Sequence, residues 1–195
     1  MRALRLHPMF AAAAFVLAGC SQHGGVQPLA LPKDFPSLKF ELLNGEHETV
    51  AEHELIGEVV ILTFGFTRCT GTCPVVLRHL RDTLDSLPGE SRDRVRVLFV
   101  GVDYRHDSPA QVASFAAVHG PGFMGLTGSV DDLGHLYRRM GVSARHVETA
   151  GGPVFMHHAT SIFLIDRHGQ PRYLAEADVP RAALAETVQR LLSEA

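Results

Sequence analysis

Two apolar runs without alternation stand near the centre of the chain. Residues 59–66 (VVILTFGF) and 95–102 (VRVLFVGV) carry almost only apolar side chains. Such runs are typical of strands that are buried on both faces of a sheet. Residues 74–87 lie between them and repeat apolar side chains at helical spacing: Val76, Leu77, Leu80, Leu84 and Leu87. The pattern therefore predicts a strand, a helix and a second strand.

Two hairpins are indicated by short apolar segments on either side of turn residues. The dipeptide at 44–45 (Asn-Gly) is a strong turn signal between residues 40–43 and 49–50. Residues 161–165 and 172–175 flank a second turn, which contains His-Gly. Further strands are therefore expected both before and after the central pair.

Three further helices complete the pattern. They are predicted at 108–119, 129–140 and 180–192, and the first two open on a serine that can cap the first turn. After the N-terminal hairpin the order is strand, helix, strand, helix, helix, hairpin, helix. This alternation favours an α/β fold with a central mixed sheet flanked by helices. The hairpin and helix that follow a β-α-β unit resemble the end of a thioredoxin-like fold.

Composition narrows the class of protein. The chain has 195 residues, of which 46% are hydrophobic and 20% charged, and its formal net charge is −3. A chain this apolar is not disordered, and its length suits one domain. The slightly acidic balance gives no reason to expect a nucleic-acid partner. Three cysteines are too few for a disulfide-stapled scaffold, and their odd number suggests that one has a separate role.

Residues 1–19 have the features of a secretory signal peptide. Two arginines precede an apolar run at 9–18, which is shorter than the roughly 20 residues of a membrane-spanning helix. The run ends in Leu-Ala-Gly-Cys at 17–20, which resembles the bacterial lipobox, where the cysteine receives a lipid after cleavage. The sequence therefore predicts lipidation at Cys20. The alternative is an ordinary signal peptide followed by a chance cysteine.

The lipoprotein interpretation divides the chain into three parts. Residues 1–19 would be removed, and residues 20–36, rich in Gly, Pro and small polar side chains, would form a lipidated tether. Residues 37–195 would form the domain. Acyl chains on Cys20 would anchor this domain to a membrane of the bacterial periplasmic space without spanning it.

Cys69 and Cys73 stand between the first central strand and the helix that Pro74 is expected to open. Both side chains would lie at the carboxyl end of a central strand, where α/β sheets place their ligands. The helix N-terminus and Arg68 should favour the thiolate form of both cysteines. Such a pair could form a redox disulfide, bind one soft metal ion such as Cu(I) or Zn(II), or be inert and buried.

A histidine pair is the strongest candidate for a third ligand. Among twelve histidines, His157 and His158 immediately precede the strand predicted at 161–165, which should neighbour the central strand. A Gly-Gly-Pro loop at 151–153 would allow this segment to fold closely over the cysteines. A neutral imidazole there could complete a site of two sulfurs and one nitrogen. The alternative is a solvent-exposed pair in a loop.

Three segments of the chain, in order, resemble the signatures of the Sco/SenC family of copper chaperones. The resemblance extends over residues 35–195, nearly the whole predicted domain. The first segment is Phe-Gly-Phe-Thr at 64–67, followed by Cys69, Cys73 and a proline. Thr70 stands where the family has its first proline, which leaves the spacing of the two cysteines unchanged.

The other two segments follow at the expected points of the chain. The second is DYRHDSP at 103–109, in which Tyr104 replaces a proline. The third precedes the strand at 161–165, where His158 falls at the family's ligand position. His157 replaces the usual aspartate, and Ala159 stands where serine or threonine is common.

The resemblance implies a thioredoxin-like fold that binds Cu(I) or Cu(II) through Cys69, Cys73 and His158. The usual task of the family is to deliver copper to the CuA centre of cytochrome c oxidase, or to reduce its thiols. The implied partners are the CuA-bearing subunit of the oxidase and a periplasmic thiol reductant or another copper chaperone.

Two aspartates of the second segment are candidates for supporting roles. Asp103, at the end of its predicted strand, is a candidate for orienting the metal site from outside the ligand set. The alternative for Asp103 is an ordinary turn-initiating aspartate. Asp107 is assigned to the region that caps the following helix.

Ligand exchange is the mechanism that three ligands suggest, because an open position admits a thiolate of the partner before a chaperone sulfur leaves. A Cys69–Cys73 disulfide cannot offer two thiolates, so a reductant must act before copper is loaded. The competing hypothesis is a periplasmic thiol–disulfide oxidoreductase with no role in copper delivery. That activity would need the two cysteines but not His158. Whether the protein is an enzyme is therefore left open, with a metallochaperone favoured.

Overall fold

The computed structural model of the protein describes residues 26–142 and 161–194. Its strands are β1 (Leu29–Ala30), β2 (Glu41–Leu43), β3 (Thr49–Ala51), β4 (Val59–Gly65), β5 (Val95–Gly101), β6 (Phe123–Leu126), β7 (Ile162–Ile165) and β8 (Pro171–Ala175). Its helices are α1 (Thr72–Asp85), α2 (Gly89–Arg92), α3 (Pro109–Ala117), α4 (Val130–Met140) and α5 (Arg181–Ser193), with a short 3-10 helix at Glu52–Leu55. The predicted α/β order is confirmed.

The main sheet has six strands in the order β1-β8-β7-β4-β5-β6. Strands β4, β5 and β6 are parallel, whereas β7 is antiparallel to β4, β8 to β7, and β1 to β8. The sheet is therefore mixed, as predicted, with β4 at its centre. A second, two-stranded sheet consists of the β2–β3 hairpin.

The two ends of the central strands face opposite sides of the molecule. Gly65 pairs with Gly101 at the carboxyl ends of β4 and β5. The first residue of β7, Ile162, lies opposite Thr63 near the same end. We call this end of the sheet the site edge, and the opposite end, where β4 and β5 begin, the far edge.

Both faces of the sheet are covered, which explains why β4 lacks alternation. Every residue of β4 is buried. Val59 and Ile61 pack on one face against apolar side chains of α1, α3 and α5. Val60 and Leu62 pack on the other face against α4 and the N-terminal hairpin. A strand between two apolar layers needs apolar side chains at consecutive positions.

Helices α3 and α4 begin where their capping residues predict. The hydroxyl of Ser108 accepts a hydrogen bond from the backbone N–H of Gln111, and Ser129 caps α4 through Asp132 in the same way. Each cap satisfies a backbone donor that the first turn leaves free. Helix α4 ends at Gly141, whose φ of 66° lies in the left-handed region.

Helix α1 begins earlier than the sequence predicts. Its first residue is Thr72 and its N-cap is Gly71, so Pro74 lies inside the first turn rather than opening the helix. A proline is tolerated there because the first turn has no carbonyl partner for its missing N–H. The consequence is that Cys73 belongs to the helix itself.

The N-terminal hairpin is present, and residues 44–48 form its turn, as predicted. The side-chain oxygen of Asn44 accepts hydrogen bonds from the N–H groups of Glu46 and Glu48, and His47 adopts a φ of 65°. Gly45 has another function in the fold. A Cβ atom at this position would lie 2.8 Å from the Cβ of Ala113, so glycine permits close contact with α3.

Two strands of the main sheet were not predicted. Strand β6 contains Gly125, where a Cβ atom would lie 2.2 Å from the carbonyl oxygen of Val112 in α3. Strand β1 lies within the segment predicted as a tether, and Leu29 pairs with Leu174 of β8. The chain therefore joins the sheet before residue 37, the predicted start of the domain. No helix within residues 26–142 and 161–194 is long and apolar enough to cross a membrane.

Candidate metal centre

The cysteine pair lies at the site edge, where the chain leaves β4 and enters α1. The backbone N–H of Cys69 donates a hydrogen bond of 3.2 Å to the carbonyl oxygen of Phe66, which turns the loop back towards the helix. The backbone N–H of Cys73 then donates to the sulfur of Cys69 at 3.3 Å. Both cysteines are free thiols. The first turn of α1 thus directs a peptide N–H at Cys69 and brings the pair together.

The two thiols have unequal environments. Burial raises the pKa of Cys69, but hydrogen bonds from the backbone and thiol of Cys73 and from the N–H groups of Gly71 and Thr72 outweigh it, so this pKa is lowered overall. Burial raises the pKa of Cys73 to about 12, and its hydrogen bond to Cys69 adds to the effect. Cys69 is half-buried, whereas Cys73 is 2% exposed.

The expectation that both cysteines favour the thiolate is therefore wrong for Cys73. Its sulfur points into the core, where a Cβ atom at Gly65 would lie 2.8 Å from it. Desolvation of an anion in that position exceeds what a helix N-terminus supplies. The Arg68 side chain, expected to favour the thiolates, instead pairs with Asp103.

Asp103 lies directly after β5, on the loop that faces the cysteine loop across the site edge. Its carboxylate is 3% exposed and accepts hydrogen bonds from Arg68 at 2.7 Å and from Nδ1 of His106 at 2.8 Å. Burial alone would raise the pKa of this carboxyl, but Arg68 and then His106 outweigh it and lower the pKa. Asp103 is therefore a buried anion that fixes the residue before Cys69.

Asp107 makes a second connection between the same two loops. It is 3% exposed, and its carboxylate accepts hydrogen bonds from the backbone N–H of Thr67 at 2.9 Å and from the Thr67 hydroxyl at 2.5 Å. Asp107 lies in the capping region, as predicted, directly before Ser108, but Ser108 is the residue that caps α3. The two aspartates together hold residues 67 and 68, which directly precede Cys69.

Three residues of the sequence-based site lie outside the described part of the chain. They are the proposed lipidation site Cys20 and the histidine pair His157 and His158. Residues 26–142 and 161–194 contain no group of three or more His, Cys, Asp or Glu side chains arranged to hold a metal ion. Within those residues, the soft donors of the site are the two sulfurs.

The arrangement supports two kinds of chemistry. A free thiol pair in which one sulfur is accessible and the other buried can form a disulfide by thiol–disulfide exchange. Two thiolates at one site are also soft ligands of the kind that select Cu(I) or Zn(II). Copper fits the donor set if a third ligand joins the two sulfurs.

A mixed sheet that carries a dithiol between its central strand and the following helix defines a thioredoxin-like protein. The family model described as SCO1/SenC matches residues 32–193, so the chain belongs to the SCO1/SenC family. The expected resemblance is therefore confirmed over nearly all of the described chain.

Individual relatives agree with this membership. The chain is 26% identical over 164 residues to a Stutzerimonas stutzeri protein whose name proposes copper binding. The match covers 84% of this chain and 80% of that protein. The structure of Bradyrhizobium japonicum ScoI with copper bound matches at a TM-score of 0.71 and 27% identity, over 80% of this chain and 99% of ScoI. The solution structure of apo Sco1 from Thermus thermophilus matches at a TM-score of 0.73 and 28% identity, over 86% of this chain and 96% of that Sco1. The chain spans between 38% and 51% of the eukaryotic relatives that it also matches.

Proposed function

We propose that the protein is a membrane-anchored copper chaperone that delivers copper to the CuA site of cytochrome c oxidase or maintains its thiols. The observation that carries the proposal is the free Cys69–Cys73 pair at the site edge, in a chain of the SCO1/SenC family. Copper, which is the cargo, would be held by Cys69, Cys73 and His158. The copper-bound structure of the related ScoI supports this choice of metal.

The proposed third ligand is consistent with the register of β7. Its first residue, Ile162, lies opposite Thr63, so the chain enters β7 close to the site edge. His158 precedes Ile162 by four residues, a distance that an extended chain covers in about 13 Å. An imidazole within that reach of the site edge can contact a copper ion on the two sulfurs.

The site suits transfer rather than permanent storage. Three ligands leave a position open, so a thiolate of the receiving protein can bind copper before a chaperone sulfur leaves. We propose that Asp103 supports this exchange by fixing Arg68, and through it the Cys69 loop, from outside the ligand set. Oxidation to a Cys69–Cys73 disulfide would remove both thiolates, so a periplasmic reductant must act before loading.

The anchor belongs to the proposal as well. Residues 1–19 would be a signal peptide, Cys20 would carry the lipid, and the domain would work in the bacterial periplasmic space. A Cys20→Ala variant should lose both membrane partitioning and incorporation of labelled fatty acid. If that variant still partitions with membranes and the unaltered protein takes up no label, the lipoprotein interpretation is wrong.

A thiol–disulfide oxidoreductase is the second candidate function, and the unequal thiols favour it. An accessible cysteine with a lowered pKa can attack a disulfide, and a buried neighbour can resolve the mixed disulfide. The two functions make different demands on the chain, because dithiol exchange needs Cys69 and Cys73 whereas copper delivery also needs His158.

Anaerobic titration of the reduced domain with Cu(I), run beside a disulfide-reduction assay, separates the two functions. The chaperone predicts one tightly bound Cu(I), lost in Cys69→Ser and strongly weakened in His158→Ala. The matched control is His168→Ala, because His168 lies in the β7–β8 turn at the far edge. This variant should bind copper normally. Reductase turnover that His158→Ala leaves intact, without tight copper binding, would favour the oxidoreductase.

A further inference from the structure

We infer that the site edge is the side of the domain that faces the anchoring membrane, so that the surface around Cys69 meets a partner whose receiving site lies at the bilayer. This inference rests on the proposed lipid anchor at Cys20. It adds an orientation to the proposed function: the copper site would meet the CuA-bearing subunit within the membrane plane rather than from solution.

The direction of β1 is the first step. Leu29 pairs with Leu174 of β8, which is opposite Phe163 of β7, which in turn is opposite Leu62 of β4. Each of these three pairings is antiparallel. Strand β1 therefore runs opposite to β4, from the site edge towards the far edge.

The residues after β1 continue in the same direction. The N–H of Leu31 donates to the carbonyl oxygen of Arg172 at 2.8 Å, near the start of β8. The N–H of Leu38 then donates to the carbonyl oxygen of Gly169 at 2.8 Å, in the turn at the far edge. Because the chain descends towards the far edge after Leu29, the segment before Leu29 leaves the sheet in the direction of the site edge.

Distances along the chain and across the sheet keep the anchor close to the site. Three strand spacings separate β1 from β4, which amounts to about 14 Å. Nine residues lead from Cys20 to Leu29, and they span at most about 31 Å when fully extended. A lipid on Cys20 would thus hold the bilayer on the side of the domain that carries Cys69.

The last described residue, Glu194, lies at the opposite end and provides a matched control. The carbonyl oxygen of Glu194 accepts a hydrogen bond from Arg167 at 2.8 Å, and its carboxylate pairs with Arg172 at 3.0 Å. Arg167 follows β7 and Arg172 lies at the start of β8, so both belong to the far edge. An anchor attached after Ala195 should therefore turn the domain over.

Energy transfer to the bilayer measures the orientation without copper. The mature chain, lipidated chemically at Cys20, is bound to phosphatidylcholine vesicles that contain an acceptor lipid. One sample carries a donor dye on Cys69 in a Cys73→Ser background. The other carries the dye on Arg94→Cys, an exposed far-edge position before β5, in a Cys69→Ser, Cys73→Ser background. Circular dichroism of each labelled protein checks its fold.

The dye on Cys69 should transfer about twofold or more efficiently than the dye at position 94, because the seven residues of β4 separate the edges by about 20 Å. Moving the lipid to the C-terminus, in a Cys20→Ser background, should reverse this order. Equal transfer from both positions, or the same order with both anchors, would overturn the inference. Copper titration of the unlabelled protein, in which Cys69 and Cys73 are unaltered, is independent of this result, so failure of the orientation is distinguishable from failure of copper binding.

Copper transfer in such vesicles tests whether the orientation governs delivery. The copper-loaded protein anchored at Cys20 should supply a co-reconstituted CuA-bearing subunit several-fold faster than the protein anchored at its C-terminus. In detergent solution, where no bilayer orients the domain, both forms should supply the soluble CuA domain at the same rate. Equal rates to the membrane-embedded subunit would show that orientation towards the bilayer does not govern delivery.

Discussion

Cys69 and Cys73 have the same side chain, but they differ in what surrounds the sulfur. Peptide N–H groups of the first turn of α1 point at Cys69, whereas Cys73 is desolvated against β4. Only the thiolate is a good nucleophile and metal ligand. In the proposed copper site the accessible Cys69 would therefore engage a partner or a metal ion first, and Cys73 would have to lose its proton to bind copper.

Alkylation tests this inequality. With a limiting amount of iodoacetamide at pH 7, Cys69 should react faster than Cys73 by about tenfold or more, because its pKa is lower and its sulfur is exposed. Peptide mapping by mass spectrometry gives the two rates. The Cys73→Ser variant should retain rapid labelling, whereas Cys69→Ser should label slowly. Equal rates in the unaltered protein, or faster labelling of Cys73, would contradict this description of the site.

Asp107 should act as a positioning residue for Cys69. In Asp107→Asn, an amide NH₂ replaces one of the two carboxylate oxygens that accept hydrogen bonds from Thr67. One Thr67 donor then lacks its acceptor, and an unsatisfied buried polar group costs about 1–3 kcal/mol of stability. It should also change the alkylation rate of Cys69, because the loop is no longer held. Denaturant unfolding and alkylation measure the two effects.

Asp166→Asn is the matched control for Asp107→Asn. Asp166 is also a buried carboxylate that holds a turn, through the N–H groups of His168 and Gln170, but it lies at the far edge. It should lower stability to a similar extent and leave the alkylation rate of Cys69 unchanged. If both variants alter Cys69 equally, the role of Asp107 is general stability alone.

At this scale the sequence predicts local relations and misses distant ones. The spacing of Cys69 and Cys73 across a strand–helix junction is enough to expect that they lie together. The Thr67–Asp107 contact joins residues 40 apart in the chain. It could be anticipated only from the inference that β4 and β5 are parallel neighbours whose following loops share an edge. The raised pKa of Cys73 depends on burial that no local pattern records.

Among the elements, those with long and regular patterns agree with the sequence. Strands β4 and β5 are continuous apolar runs, and α3 and α4 carry their own capping residues, so local signals and tertiary packing favour the same structure. Strands β1 and β6 have two and four residues and follow segments rich in Gly and Pro. Their strand structure comes from pairing with β8 and β5, which the local sequence does not encode.

The junction of β4 and α1 depends on Gly65. In Gly65→Ala the new methyl group would lie 2.6 Å from the Phe99 ring and 2.8 Å from the sulfur of Cys73. Overpacking of this kind costs about 1–3 kcal/mol, and the displaced sulfur should weaken Cu(I) binding as well. Urea unfolding and Cu(I) competition measure the two effects.

Gly134→Ala is the control for Gly65→Ala, because it adds the same methyl group within α4. Its nearest neighbour would be the flexible end of Arg138 at 3.3 Å. Replacing a helical glycine should raise stability by about 0.5–1 kcal/mol and leave copper binding unchanged. A Gly65→Ala protein as stable as the unaltered one would show that the predicted close contact is absent.

In the whole molecule, the two ends of the main sheet carry different groups. The site edge carries the cysteine pair and the two aspartates that support its loop, whereas the far edge holds Glu194 through Arg167 and Arg172. A sheet covered on both faces leaves its ends as the natural places for exchange with other molecules. One end of this sheet combines the dithiol with the direction from which the N-terminal segment arrives.

Copper should stabilise the whole domain when the site is reduced. A ligand that binds only the folded state at about 100 times its Kd adds about 2.7 kcal/mol, and a domain of this size gains roughly 2–4 °C in Tm per kcal/mol. We therefore expect Cu(I) to raise the Tm of the reduced protein by about 5–10 °C. The oxidised protein and Cys69→Ser should show no shift. An equal shift in the oxidised protein would mean that copper binds elsewhere.

The proposed function requires that one copper ion is bound by the sulfurs of Cys69 and Cys73 and by an imidazole nitrogen of His158. X-ray absorption at the copper edge of the reduced, Cu(I)-loaded domain tests it directly. We predict two sulfur neighbours and one nitrogen neighbour, with the nitrogen lost in His158→Ala and retained in His168→Ala. A copper environment without two sulfurs, or one that His158→Ala leaves unchanged, would show that other groups bind the copper.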